Sequence, residues 1–194
     1  VENSCMSKIN KLVESIKPAY DYPSNEIIIN PYICDKSKTT NLDGSSIVIP
    51  SSSIALRTFA YNDQVAFPWF APAGFQRGLV TNASSVGYID PETGEYNSVV
   101  LSEGSRDTLY SKKVNPIAFM PNRGLVVFGQ KTLNPTASAL DRINVARLVV
   151  YIRERLDDIV KPFLFEPNDD ITRQNAKGVV DGFLSNLVIQ RGLF

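Results

Sequence analysis

Gly124-Leu125-Val126-Val127-Phe128-Gly129-Gln130-Lys131-Thr132 is the stretch on which the reading of this chain turns. Its first half sets four bulky apolar residues in a row between two glycines, the strongest buried-strand signal in the sequence. Its second half imitates a phosphate-binding loop, GxxxxGK[ST], in which backbone N–H groups wrap the phosphates and a helix starts at once. Here Gln130 is inserted before the lysine, the residues between the glycines are strand-like, and Leu133-Asn134-Pro135 blocks an immediate helix. Strand followed by turn is the reading that survives.

Working outward toward the C-terminus, the spacing predicts a helix from about Ser138 to Pro162. Val145, Leu148, Val149, Ile152, Leu156, Ile159 and Val160 keep the 3/4 repeat, and Ser138 with Asp141 makes a capping-box-like start. Phe165-Glu166-Pro167-Asn168 then feeds a second helix, capped by Asp169 or Asp170, with a stripe of Ala176, Val179, Val180, Phe183, Leu184, Leu187 and Val188. Both stripes are wide enough to cover one sheet face each.

Toward the N-terminus, Ser85–Ile89 and Tyr96–Leu101 read as the strands of a β-hairpin around Asp90-Pro91-Glu92-Thr93-Gly94. The segment 66–78 holds too many prolines and glycines for regular structure, and a helix is expected over 52–62, entered at Pro50-Ser51-Ser52-Ser53. Residues 4–17 carry a short amphipathic helix (Ile9, Leu12, Val13, Ile16), 26–34 are strand-like with Pro31 at an edge or bend, and Lys36 to Ser46 is a polar loop. Ser102 to Asn115 is polar and suggests no element. The expected fold is α+β: a mixed sheet covered by two long C-terminal helices, with a β-hairpin elaboration.

The chain has 194 residues, enough to bury a core in one domain of at most two lobes. It holds no histidine, which removes Ser-His-Asp and Cys-His catalysis, His-ligated zinc and imidazole switches. Cys5 and Cys34 lack CxxC spacing and read as reduced thiols. Twenty basic and twenty acidic residues cancel, against a general nucleic-acid or anionic-membrane binder. Residues 1–100 carry +7 and −10 and residues 101–194 carry +13 and −10, a polarity that suits head-to-tail packing of identical subunits or arises by chance. The chain opens at Val1 and stops at Phe194, two residues after Gly192, as expected of a trimmed fragment.

No catalytic constellation emerges. Glu92 and Glu95 sit in an exposed turn, whereas an acid/base pair needs burial to separate its pKa values. Asp157-Asp158 and Asp169-Asp170 read as solvated or capping charges, and Ser111-Lys112 are adjacent residues that point apart. Phe67, Trp69, Phe70 and Phe75 have only Arg77 nearby, so they read as packing rather than as a base-stacking platform. Arg142, Arg147, Arg153 and Arg155 scatter around their helix, which suits ion pairs with protein or solvation.

Four blocks, in order and spacing, resemble the contractile tail sheath proteins of large myoviruses and related contractile machines. The first is Ala60-x-x-Asp63, then Trp69 and Ala71-Pro72-Ala73, behind Pro50-Ser51-Ser52. The second is Val114-Asn115-Pro116-Ile117 followed by Gly124, Val127 and Gly129-Gln130-Lys131-Thr132. The third is Ile143-Asn144-Val145-Ala146-Arg147-Leu148, and the last is Phe165-Glu166-Pro167-Asn168 before the final helix. Tyr61-Asn62 stands where the family has Arg-Thr, Phe70 replaces a lysine and Phe128 a tryptophan.

What the resemblance implies is a non-enzymatic subunit without cofactor or metal. It polymerises in helical rings around a tail tube and contracts on a baseplate signal to drive the tube through the host envelope. Residues 1–46 are then an outer or insertion segment, and 47–194 the family's core domain, cut before its final strands. The family's N-terminal arm and C-terminal strands, which add to neighbouring subunits' sheets, are missing by this reading, so the fragment alone is expected to be monomeric. Partners are copies of itself, the tube and the baseplate; the place is the virion tail, assembled in the bacterial cytoplasm. Arg173, Lys177 and Asp181 on the last helix are candidate contacts to the tube or next ring, or a solvated face. The other readings are a nucleotide-dependent enzyme using Lys131-Thr132 in the Gly124–Thr132 segment, and a baseplate or adhesin module using the aromatic loop.

Overall fold

The computed structural model describes residues 36–40, 44–90, 92–134 and 138–194. The expected helix over 4–17, the strand-like stretch 26–34 and both cysteines lie outside the described residues.

Among the described residues two sheets form, and every strand pairing in them is antiparallel. This corrects the mixed sheet expected from sequence. The four-stranded sheet runs in the order β2(Ser46–Pro50), β1(Lys36–Thr40), β4(Ser85–Ile89), β5(Tyr96–Ser98). The hairpin β4–β5 forms as its turn residues dictate, with Ile89 opposite Tyr96 and Gly94 N–H donating to Asp90 O at 2.8 Å. The expected loop Lys36–Ser46 instead contains β1, a polar strand that pairs with β2 on one side and β4 on the other. The second sheet has the order β3(Leu79–Val80), β7(Gly124–Val127), β6(Ile117–Met120). β7 is the predicted strand: Leu125, Val126 and Val127 are all buried.

Helix α1(Ser51–Val65) follows β2 directly and buries Ile54, Ala55, Thr58, Phe59 and Asn62 along one face. After the irregular aromatic segment comes a single turn, α2(Gly74–Arg77). The polar stretch after Leu101 proves to hold a further helix, α3(Glu103–Ser111), whose cap Ser102 accepts from the Ser105 amide. One core cluster gathers Ile54 and Ala55 of α1, Leu109 of α3, Val86 of β4, and Ile117, Leu125 and Val127 of the smaller sheet.

The first C-terminal helix begins later than the spacing predicts. Ser138 opens a 3-10 turn over Ala139–Asp141 without a side-chain cap bond, and α4 runs Ile143–Val160 from Arg142, which is held extended. The reason is the pairing of Lys131 with Arg142 and the Thr132 amide donating to Asp141 O at 2.8 Å, which pin that segment straight. The final helix α5(Asp170–Ile189) is capped by Asp169, the first of the two expected candidates. Its stripe does not cover a sheet face. Leu187 is its one buried position and packs with Trp69 and Leu148, so α5 lies on α4 and the aromatic segment.

Candidate functional site: a junction between the aromatic segment, β7 and the C-terminal helices

The motif residues fall into two interlocked groups. The first forms where β7 leaves its sheet. Asn115 is fully buried and brackets one peptide unit on each side of Lys131: its Nδ2 donates to Lys131 O at 2.9 Å and its Oδ1 accepts from Lys131 N at 2.8 Å. Gly129 is needed beside it, because a Cβ there would lie 2.7 Å from Asn115 Oδ1. Pro116 O accepts from Phe128 N, Gln130 O accepts from Ile143 N, and Thr132 Oγ1 donates to Leu140 O, each at 2.8 Å. These bonds tie the end of β7 to the start of α4.

The same bonds dispose of the phosphate-loop reading. Lys131 Nζ donates to Tyr110 O at 3.1 Å and stands 4.1 Å from the centre of the Tyr110 ring. Its amide is already taken by Asn115, and a bridge rather than a helix follows. Arg142 Nη1 reaches the Tyr110 hydroxyl, so one tyrosine of α3 receives both cations.

The second group joins α1, the aromatic segment and the two long helices. Asp63 and Arg147, 84 positions apart, form a forked ion pair with Nη2 at 2.6 and 2.8 Å from the two carboxylate oxygens. The Arg147 guanidinium also lies over the Phe59 ring at 5.2 Å. Beside it Asn62 is fully buried and donates from Nδ2 to Phe67 O at 3.2 Å. Trp69 is 5% exposed, stacks on Phe67 at 4.7 Å, tilts against Tyr151 at 5.3 Å and donates from Nε1 to Gln190 O at 3.2 Å. Pro72 is buried, and Ala71 O accepts from Arg77 Nε at 3.1 Å. Trp69 and Phe70 therefore pack inward, as the sequence suggests, while Phe67 and Phe75 keep an exposed edge.

Phe165, Glu166, Pro167 and Asn168 stand apart from both groups, in the exposed loop between α4 and α5. Asn168 Oδ1 accepts from Arg173 Nε at 2.9 Å, and Arg173 Nη1 approaches Asp170 Oδ1 at 3.6 Å. Arg173, Lys177 and Asp181 are all exposed and recur every four residues along one side of α5. Glu92, Glu95 and Asp157 are exposed too, and Asp158 is held below the usual carboxylate range by its bond to Lys161. Among the described residues no cluster of histidine, cysteine and carboxylates could hold a metal ion, and no helix is long and apolar enough to cross a membrane.

Asn62, Tyr110, Arg142 and Gln190 take part without having been singled out for these roles. Gln190 contributes only a backbone carbonyl, which leaves no mark in a sequence, and Tyr110 belongs to the helix that sequence reasoning missed.

Asp169 gives a testable consequence. Its carboxylate accepts from the Thr172 amide at 2.8 Å, and that bond lowers its pKa below the ordinary aspartate value. A depressed carboxylate contributes its stability above the unfolded-state value, about 4, and loses it as pH falls through the folded-state value. The Thr172 amide resonance should titrate with a midpoint below that of a free aspartate, and Asp169→Asn should abolish the step. A midpoint at or above the ordinary value would contradict the cap.

These features define a class before they define a protein: an α+β body in which Asp63, Trp69, Asn115 and Arg147 are spent on packing, hydrogen bonding and ion pairing. The solved contracted helical sheath of the anti-feeding prophage has this fold, with a TM-score of 0.67 over 88% of this chain and 44% of that one, at 22% identity. The chain is a relative of the tail sheath proteins. It is 37% identical over 135 residues to that of Vibrio phage KVP40, covering 70% of this chain and 18% of the relative. It is 30% identical over 141 residues to that of Salmonella phage ViI, covering 72% of this chain and 20% of the relative. The chain thus spans about a fifth of the length of these relatives. No protein-family model matches it.

Proposed function

We propose that this chain is part of a contractile tail sheath subunit, a structural and non-enzymatic component of a phage tail. Copies polymerise in helical rings around the tail tube, engage the baseplate and shorten to drive the tube through the host envelope. The observation that carries this reading is the 37% identity to a phage tail sheath protein over 70% of the chain, on a contractile-sheath fold. Contraction needs no nucleotide, because contacts made better in the contracted array supply the driving force.

The two groups of motif residues fit such a part, since a body that changes partners as a unit must hold its own elements together. Residues 1–46 serve as the outer segment and 47–194 as the core, with β1 the seam paired to strands of the core on both sides. Arg173, Lys177 and Asp181 are candidate contacts to the tube or the next ring. Assembly takes place in the host cytoplasm, and the chain alone is monomeric.

Electron microscopy of the complete protein is expected to show hollow striated tubes, and sedimentation of the chain alone a single slow species. Dispersed particles from the complete protein, together with saturable Mg-ATP binding, would overturn the reading in favour of an enzyme.

A further inference from the structure

Arg123 and Phe128, at the two ends of β7, meet Phe75 of α2 and Arg106 of α3 in a ladder of two rings flanked by two guanidinium groups. Arg123, in the β6–β7 turn, lies over the Phe75 ring at 5.6 Å. The Phe75 and Phe128 rings are 6.1 Å apart, and Arg106 of α3 lies over Phe128 at 5.4 Å. The two rings are 50% and 42% exposed, an unusual outlay of aromatic surface for a face that no described residue covers. Neither arginine has a carboxylate within ion-pair distance among the described residues, although Glu103 and Asp107 flank Arg106 on its own helix.

Arg106 Nη1 donates to Met120 Sδ at 3.0 Å; stacking occupies the flat faces of each guanidinium and holds it still, leaving the rest of its in-plane N–H edge available. That is the geometry that receives a carboxylate through two parallel bonds. Two such groups at the ends of an apolar ladder suit a rigid acidic loop with more than one carboxylate.

The chain carries one. In the β4–β5 turn, Asp90, Glu92 and Glu95 lie within six residues, and none is ion-paired among the described residues. The turn is stiffened from within: Asp90 Oδ1 accepts from the Glu92 amide at 2.9 Å, and the Asp90 amide donates to Glu95 O at 2.9 Å. Glu92 and Glu95 are left projecting from it, both exposed.

From this complementarity we infer that the β4–β5 turn of one copy docks on the Arg106–Phe128–Phe75–Arg123 ladder of a second copy. Tip and ladder are different patches, so the contact is head-to-tail and repeats indefinitely instead of closing as a two-fold pair. The inference rests on the sheath reading, because it names one contact of the proposed array.

Charge reversal in the complete protein tests it. R106E/R123E turns the ladder acidic and E92R/E95R turns the tip basic. Each double variant alone should raise the concentration needed for tube formation at least about ten-fold, since like charges then face each other. An equimolar mixture should assemble again, because each variant's tip now complements the other's ladder. If the reversed ladder does not fold, E92Q/E95Q at the exposed turn replaces it and should weaken assembly and flatten its salt dependence. If wild type assembles and the variants match it, or the mixture stays dispersed, the inference is overturned and the sheath reading stands. If wild type itself forms no tubes, the sheath reading falls and takes this contact with it.

Discussion

Trp69→Ala should cost about 3–5 kcal/mol of unfolding free energy, the range for deleting a large buried aromatic side chain. In a domain of this size that is a drop of about 10 °C in Tm. The figure follows from where the ring sits. It contacts Leu148 of α4 and Leu187 of α5, stacks on Phe67 and leans on Tyr151, and its N–H holds a carbonyl just beyond the end of α5. Because Leu187 is the one buried residue of α5, the loss should fall unevenly. Amide exchange in α5 should accelerate well beyond that in β7, since the helix loses most of what docks it. Trp69→Phe, which keeps ring stacking and drops the N–H bond, should recover more than half. Circular dichroism melts and hydrogen exchange check both, and uniform loosening of the whole chain would refute the hub role.

That hub marks the boundary of what could be read beforehand. β7 was legible because a run of apolar residues between glycines has few alternatives to burial, and Leu125, Val126 and Val127 follow that rule while Phe128, just past the strand, does not. The Asp169 cap was legible because capping is local: one side chain and an amide three positions on. The β4–β5 hairpin was legible for the same reason. What failed was decided at a distance. β1, Lys-Ser-Lys-Thr-Thr, has no strand-like composition and becomes a strand only because β2 and β4 offer it partners on both edges. α3 buries only Leu109, so its sequence carries no periodic stripe. The α4 start was misplaced by five residues because Lys131 and Thr132, from the far side of a loop, hold Asp141 and Arg142 out of the helix.

The site divides along the same line. Asp63, Trp69, Asn115 and Arg147 could be singled out by their resemblance to family blocks, but their partners could not. Nothing within residues 60–63 announces a guanidinium from 84 positions away. α5 shows the opposite error: its apolar stripe is real, yet only Leu187 is buried within the chain, and Val179 and Val188 remain about half exposed. Periodicity reports that a face is apolar, not what will lie against it.

Asn115→Ala is the second large effect expected, about 2–3 kcal/mol, and its origin is polar. Truncation leaves the Lys131 N–H and C=O without the amide that satisfies them, and an orphaned buried group costs about 1–3 kcal/mol. The damage should spread in one direction. Lys131 is bridged to Arg142, and Gln130 O receives the first amide of α4, so the start of that helix should fray while the β4–β5 hairpin is untouched. Asn115→Asp separates the two halves of the bracket by pH: protonated, its carboxyl can accept from the Lys131 N–H and donate its O–H to Lys131 O, whereas ionised it keeps only the acceptor. It should lie between wild type and alanine, and below it as pH rises through the aspartate range and a charge is left buried. Gly129→Ala should reach the same bracket from outside, its new methyl pressing on Asn115 Oδ1 from 2.7 Å. If the bracket is what joins β7 to α4, the double variant Asn115→Ala/Gly129→Ala will be less unstable than the two single losses together, because the methyl then meets no amide. Strict additivity in a double-mutant cycle would show that the two residues act separately and that the junction is held elsewhere.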